Sequence, residues 1–444
     1  MTVSRTICLG FLAVILVGTL LLLLPISTAS GEWNSWIVAL FTTTSAVCVT
    51  GHIVVDTGSY FSVWGQVFIL MLIQVGGLGY MTSTTFLLLL LGRKFGLRDK
   101  IAVQQALDRS KLQGGVQMVR SIIAMTLIFE LTGIFLQLCI YVPVHGLPLA
   151  LWYALFHSVS AWNNAGFSLF SNNLVDYQFS PLLNLVIPGL IIFGGIGYEV
   201  IFEAYLWIRH RLTRKPERMI FSLNFQIVIS TTLILLLLGT VCVFFAESRN
   251  PMTLKPFTLE QQLMTSWFQS VTARTAGFNS IDIGKMTNAG LFMIIALMFI
   301  GGSPGGTAGG VKTTTIRVLS SSTKAILQGK ENVVLYERQI PFSLVLKSIG
   351  VVVGSFLTVV LSTIIMAIAD PEVAFINILF EVVSAFATVG LSTGITATLS
   401  VASKLTLVMT MYMGRVGVLL LMASLLGDPR PSALHYPEES LLVG

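Results

Sequence analysis

Four stretches of the sequence have residue types and a spacing suited to handling an ion. They read FTTTSAVCVTGHI (41–53), FHSVSAWNNAGFS (156–168), FQSVTARTAGFNS (268–280) and FEVVSAFATVGLS (380–392). Each opens on phenylalanine, carries small or hydroxyl residues in its middle and has glycine at the eleventh position. The glycines are Gly51, Gly166, Gly277 and Gly390, roughly 110–115 residues apart. Glycine tolerates the left-handed backbone angles that aim successive carbonyls at one axis. A ring of such oxygens can replace the hydration shell of a cation. Four copies in one chain would supply that ring with approximate fourfold symmetry, and neutral carbonyls suit a large, weakly hydrated monovalent ion such as K⁺. A lone glycine in such a place would more simply serve close helix packing; four in register favour the ring.

The elements that must position these segments follow from composition. The chain has 444 residues, 54% hydrophobic and 10% charged, with mean hydropathy +0.85. Soluble domains carry about 25% charged residues, so this is an integral membrane protein. Long apolar runs near 7–24, 61–91, 119–142, 181–208, 225–245, 287–300, 343–369 and 402–426 predict eight spans. The first looks like a signal peptide but has no small-residue cleavage site, so a retained helix is expected. Between the spans lie four semi-apolar segments, 34–46, 151–163, 260–273 and 374–387. As helices these would reach only about 20 Å against about 30 Å of hydrocarbon, so each must enter and leave by one face. Such a helix brings the negative end of its dipole toward mid-membrane, where returning backbone must line a protein-walled or watery path.

Charge placement orients the chain. Arg93, Lys94, Arg98, Lys100, Arg109 and Lys111 form one basic group, Arg209, Arg211, Arg214, Lys215 and Arg218 a second, and Lys324, Lys330, Arg338 and Lys347 a third. The opposite loop at 143–180 has no Lys or Arg. The positive-inside rule then predicts a multi-pass protein with both termini cytoplasmic. The net charge of +6 reflects topology, and no nucleic-acid partner is expected. The basic loops serve equally well as lipid-headgroup contacts or as partner surfaces. Cys8, Cys48, Cys139 and Cys242 show no CxxC pairing and are expected to be small core residues.

Other chemistries fit poorly. The five histidines form no HExxH and no serine sits in GxSxG, so an enzyme is not expected. GGTAGGVKT departs from a phosphate-cradling loop because Val311 separates Gly310 from Lys312 and no strand precedes it. An inverted-repeat carrier would alternate orientation, whereas these four modules all start from the cytoplasm.

One segment interrupts a span. Gly301, Gly302, Ser303, Pro304, Gly305, Gly306, Thr307, Ala308, Gly309 and Gly310 follow the apolar run NAGLFMIIALMFI. Glycine and proline at this density break a helix, and a break at that depth needs a protein-lined or aqueous setting. A linker between two spans is the alternative. Arg415 is a charge in the middle of the last span, where it must find a partner or a cavity; a carboxylate such as Glu130 or Glu199 would satisfy it. Arg274 is expected to point outward and brace carbonyls, Lys312 to snorkel to the cytoplasmic interface, and Asn163 and Asn164 to bond behind the loop.

The segments VCVTG, WNNAGF, TARTAGFN and FATVGL, the loop GGSPGGTAGGVKTTT and MGRVGVLLL together resemble the Trk/Ktr/HKT superfamily of K⁺ transporters, most of all the membrane subunits of Ktr systems. The resemblance covers nearly the whole chain. It implies an all-α polytopic membrane protein of four M1–P–M2 repeats, with eight transmembrane helices and four re-entrant pore helices in pseudo-fourfold symmetry around one pore. Repeat 1 would span 1–95, repeat 2 112–210, repeat 3 220–325 and repeat 4 341–427, with a cytoplasmic tail at 428–444. The filter glycines implied are Gly51, Gly166, Gly277 and Gly390, with carbonyls from Val49, Thr50, Asn164, Ala165, Thr275, Ala276, Thr388 and Val389. Residues 301–310 would form an intramembrane gate, with Arg415 holding its carbonyls. Also implied are K⁺ as substrate, Na⁺ as a coupling or activating ion, no covalent cofactor, a homodimer in the cell membrane and a cytosolic nucleotide-binding regulatory ring. His52 departs from the pattern, which usually has an apolar residue there.

Overall fold

The computed structural model describes residues 3–79, 115–213 and 220–426. The basic group Arg93, Lys94, Arg98, Lys100, Arg109 and Lys111, together with Arg214, Lys215, Arg218 and the tail at 428–444, lies outside the described residues.

Four long apolar helices begin the repeats: α1 (Val3–Leu23), α4 (Gly115–His145), α8 (Leu223–Glu247) and α12 (Phe342–Ala369). Each is followed by a short helix that packs on it: α2 (Trp36–Val47), α5 (Leu147–Trp162), α9 (Leu259–Thr272) and α13 (Phe375–Phe386). The third element starts with α3 (Val63–Leu78), α6 (Pro181–Ile196), α10 (Asn288–Phe299) and α14 (Val401–Val416). Its start is set the same way each time. The hydroxyls of Ser62, Ser180, Thr287 and Ser400 accept the N–H three residues on, an N-cap contributing about 1 kcal/mol each.

The third elements close a ring. α3 packs on α5, α6 on α9, α10 on α13 and α14 on α2, so each repeat's last helix supports the next repeat's short helix. The leading phenylalanines Phe41, Phe156, Phe268 and Phe380 are fully buried at the centre. Leu16, Phe135, Phe245 and Phe356 are more than half exposed on the outer surface, as lipid-facing side chains are. The protein is thus a polytopic membrane protein of four M1–P–M2 repeats. Of the cysteines, Cys8 and Cys48 are buried as expected, but Cys139 is exposed and Cys242 partly so, because both sit on lipid-facing turns of M1 helices where an apolar thiol needs no core.

The expectation of continuous spans at 181–208 and 402–426 is corrected. α6 passes into α7 (Tyr198–Leu212) through a bend of 103°, and α14 into α15 (Val418–Leu426) through 93°. The hinges are Gly197 (φ 87°) and Gly417 (φ 89°), and Gly79 (φ 78°) ends α3 in the same conformation. A left-handed glycine turns the chain at no steric cost. In repeat 3 the break is the glycine loop, after which the chain resumes as α11 (Thr313–Leu327) and reaches a small hairpin of β1 (Val334–Leu335) and β2 (Arg338–Gln339).

Candidate ion pathway

Each short helix ends just before its glycine, and the backbone then alternates in hand. Val49 (φ 50°), Asn164 (φ 55°), Thr275 (φ 69°) and Thr388 (φ 53°) are left-handed two residues before Gly51 (φ 91°), Gly166 (φ 68°), Gly277 (φ 78°) and Gly390 (φ 90°), which are left-handed too. Holding a non-glycine residue there costs about 1–3 kcal/mol, and the same cost recurs in four places. An extended strand points successive carbonyls to opposite sides; this alternation turns them to one side.

The residues that hold this strain sit at fixed positions in the segments. The N–H groups of Thr50, Ala165 and Val389 donate to the carbonyls of Ser45, Ser160 and Ser384 at 2.8 Å, and that of Ala276 to Thr272 at 3.0 Å. Gly51 N–H donates to Ser45 Oγ at 3.0 Å and Gly390 N–H to Ser384 Oγ at 3.1 Å, while Ser160 Oγ donates to the Phe167 carbonyl at 2.8 Å. The sequence reading did not single out this hydroxyl. Its constant fifth position in the aligned segments is the signal that would have found it.

The four glycines meet. A Cβ placed on Gly51 would lie 2.5 Å from the Ala165 carbonyl oxygen; on Gly166, 2.6 Å from that of Ala276; on Gly277, 2.3 Å from that of Val389; on Gly390, 2.0 Å from that of Thr50. The chain of contacts runs from repeat 1 through 2, 3 and 4 and returns to 1. Only glycine fits at each position, and each faces the carbonyl that precedes the next repeat's glycine. Val49, Thr50, Asn164, Ala165, Thr275, Ala276, Thr388 and Val389 are all buried around this axis. Among the described residues no three His, Cys, Asp or Glu side chains gather as a metal site; the oxygens brought together here are peptide oxygens.

The glycine loop lies directly against this ring. Thr307 Oγ1 is 3.3 Å from both Asn164 Oδ1 and the Trp162 carbonyl. A Cβ on Gly309 would come within 2.1 Å of Thr388 Oγ1. The loop also hangs on the break in repeat 2: Ser303 N–H donates to the Gly195 carbonyl at 3.0 Å and Thr307 N–H to that of Gly194 at 3.1 Å. Its two ends are held together, with Gly301 N–H on the Val311 carbonyl at 2.9 Å. Ser303 Oγ lies 2.9 Å from Thr313 Oγ1.

Three cations hold the loop's carbonyls. Arg415 donates through Nη1 to Thr307 and through Nη2 to Gly76, with Gly77 at 3.4 Å. Its partners are thus carbonyls of the glycine loop and of the last turn of α3. Arg274 is buried, and its Nη2 donates to the Gly301 carbonyl at 2.9 Å, so it braces the loop. Lys312 Nζ donates to the Ala308 carbonyl at 2.8 Å. Asn163 does bond behind the loop, through Nδ2 to Gln74 at 2.8 Å and to Glu130 at 3.4 Å. Asn164 Nδ2 lies 3.5 Å from Thr275 Oγ1, across to repeat 3.

Comparison with known proteins agrees with this architecture. The chain is 39% identical over 443 residues to the Ktr system potassium uptake protein B of Bacillus subtilis (strain 168), covering 100% of this chain and 97% of that one. It is 38% identical to the Ktr system potassium uptake protein B of Vibrio alginolyticus, covering 99% and 94%. It is 35% identical to the potassium/sodium uptake protein NtpJ of Enterococcus hirae, covering 99% and 97%. The crystal structure of the potassium transporter TrkH from Vibrio parahaemolyticus shares the fold, with TM-score 0.70 and 18% identity over 95% of this chain and 85% of that one. The family profile of TrkH, a cation transport protein, matches residues 6–426. With its four-repeat ring matched from end to end, the chain belongs to the TrkH family of cation transport proteins.

Proposed function

We propose that this protein takes up K⁺ across the cell membrane by passing it through the ring of peptide oxygens before and at Gly51, Gly166, Gly277 and Gly390. The observation that carries the reading is the repeated left-handed pair in each segment, closed into one ring by carbonyl-to-glycine contacts. Neutral oxygens at the ends of four short helices lower the penalty of dehydrating a monovalent cation while leaving it weakly enough held to move on. The potassium uptake named for the relatives supports the same substrate. Residues 301–310 act as the gate, because the loop abuts the ring and is held by hydrogen bonds that can be exchanged for water. Arg415 is its latch.

Two further parts of the reading rest on the relatives. Na⁺ activates or is coupled to uptake, as the potassium/sodium name of the Enterococcus hirae relative supports. A cytosolic nucleotide-binding ring controls a homodimer whose termini lie in the cytoplasm, consistent with relatives named as parts of a system. The test is complementation of K⁺-uptake-deficient cells with wild type and Gly277→Ser in parallel. Rescue by wild type with K⁺/Na⁺ discrimination lost in the variant is expected. Rescue with unchanged discrimination in the variant overturns the ring as the selective element.

A further inference from the structure

The four repeats differ in how the chain beyond each glycine is held. In repeats 2, 3 and 4 the second residue of the segment is long and polar, and it reaches the loop of its own repeat. His157 Nε2 lies 2.9 Å from Ser168 Oγ. Gln269 Nε2 donates to Ser280 Oγ at 3.2 Å. Glu381 Oε1 accepts from Ser392 Oγ at 2.5 Å and from the Thr393 N–H at 3.0 Å, while its Oε2 accepts from Thr396 Oγ1 at 2.9 Å. All three side chains are buried. These contacts form a collar just outside the glycines.

Repeat 1 lacks both halves of this brace. Its second residue is the short Thr42, and the loop position that carries Ser168, Ser280 and Ser392 elsewhere is Ile53; Thr57, which matches Thr396, keeps its hydroxyl buried without a hydrogen-bond partner. What it has instead is His52, at the position that carries Phe167, Phe278 and Leu391 in the other repeats. The ring of His52 crosses the repeat boundary: its Nδ1 lies 3.1 Å from Glu381 Oε2, and both side chains are 0% exposed. A buried carboxylate is tolerated only when it is compensated; Ser392, Thr393 and Thr396 of its own repeat donate to Glu381, and the His52 ring stands at ion-pair distance across the boundary, with its nitrogens outside hydrogen-bond geometry.

We infer that His52 is a positioning residue for ion discrimination: by pairing with Glu381 it supplies to repeat 1, from repeat 4, the outer brace that the other repeats build within themselves. The inference rests on the proposed ring. Without the pair, the segment Val49–His52 is the one of the four with no polar anchor beyond its glycine, and its carbonyls drift from the axis. Ion selectivity is sensitive to such a drift because it depends on the number and placement of oxygens around the ion.

The test compares His52→Phe, His52→Gln and Gly277→Ser with wild type in complemented cells, reading K⁺ uptake in competition with Na⁺ and the amount of protein in the membrane. Phe is what repeats 2 and 3 carry at this position, so the volume is tolerated by the architecture. K⁺/Na⁺ discrimination is expected to fall about tenfold in His52→Phe, which takes the polar ring edge away from Glu381, and to be retained in His52→Gln, whose amide keeps a polar edge beside that carboxylate. Loss of His52→Phe from the membrane beside a wild-type-like His52→Gln also supports the pair, since the polar edge and not the volume is then what the site requires. The inference is overturned if His52→Phe discriminates like wild type, or if His52→Gln fails alongside it. Gly277→Ser separates the two levels: if it too leaves discrimination untouched, the ring itself is wrong, whereas its failure beside a normal His52→Phe removes only the brace.

Discussion

The guanidinium of Arg415 donates to the carbonyl of Thr307, so a cation on the last helix of repeat 4 holds the glycine loop of repeat 3. Its other amino group reaches Gly76 at the end of α3, and the residue thereby ties repeats 1, 3 and 4 together at one depth. Replacing it by alanine takes the donor from the Thr307 carbonyl, at about 1–3 kcal/mol, while the Gly76 carbonyl keeps the Gly79 N–H. Arg415→Ala is expected to raise K⁺ flux by tenfold or so without any regulatory partner, read in liposomes. Arg415→Lys is expected to fall between, because an ammonium holds charge but lacks the fork that spans two acceptors. A variant that unfolds earlier with unaltered flux per folded molecule would show that Arg415 only stabilises.

The loop itself gives a second prediction. Deleting Gly302 to Gly309 removes the contacts to Asn164, Trp162 and Thr388, and uptake is expected to become faster and less dependent on cytosolic control. Thr307→Val is the milder counterpart: it keeps the shape, loses the Oγ1 contacts, and is expected to raise flux two- to fivefold. Whole-cell uptake rates normalised to protein in the membrane check both.

Glycine substitutions are expected to rank by what the added carbon meets. At Gly390 it would lie 2.0 Å from the Thr50 oxygen, and at Gly277 2.3 Å from that of Val389. At Gly394 (φ 92°) nothing lies within 4 Å. Gly394→Ala is therefore expected to show only backbone strain, about 1 kcal/mol of stability, with K⁺ discrimination intact, while Gly390→Ala loses discrimination. Equal loss in both would mean that strain and not crowding of the ring matters.

Glu247 offers a stability test away from the axis. Its carboxylate accepts from Thr287 N–H at 2.9 Å and Thr287 Oγ1 at 2.7 Å, and from Asn250 Nδ2 and Thr253 Oγ1 at 2.7 Å each. It ties the end of α8 to the N-cap of α10, as Asp370 ties α12 to Ser400 in repeat 4. Glu247→Ala is expected to cost about 2–4 kcal/mol, seen as earlier thermal unfolding in detergent, with ion discrimination unchanged.

Much of this architecture is legible in the sequence, and the rest is hidden for identifiable reasons. The aligned segments mark Gly51, Gly166, Gly277 and Gly390, because a carbonyl oxygen of the next repeat stands where any side chain would begin, in every copy. The bends at Gly197 and Gly417 stay hidden, because averaging hydropathy over a span smooths out one residue whose effect is purely torsional. GGIGY at 194–198 is the local signal that marks the first of these breaks, and GGLGY at 76–80 repeats it in sequence where α3 ends. Cross-repeat contacts such as His52 with Glu381 or Arg415 with Gly76 join residues more than 300 positions apart; spacing along a chain carries no trace of them.

Two of the third elements turn on a single glycine, Gly197 and Gly417, while repeat 3 carries a ten-residue glycine loop at the matching place. With residues 301–310 as the proposed gate, a conduit assembled from near-equal quarters carries that obstruction on its third quarter. Four matching plugs could withdraw one after another and give a ladder of partial conductances. A solitary plug has two positions, so the passage through each chain should switch between shut and open in one stroke, and any graded response must come from how often it switches.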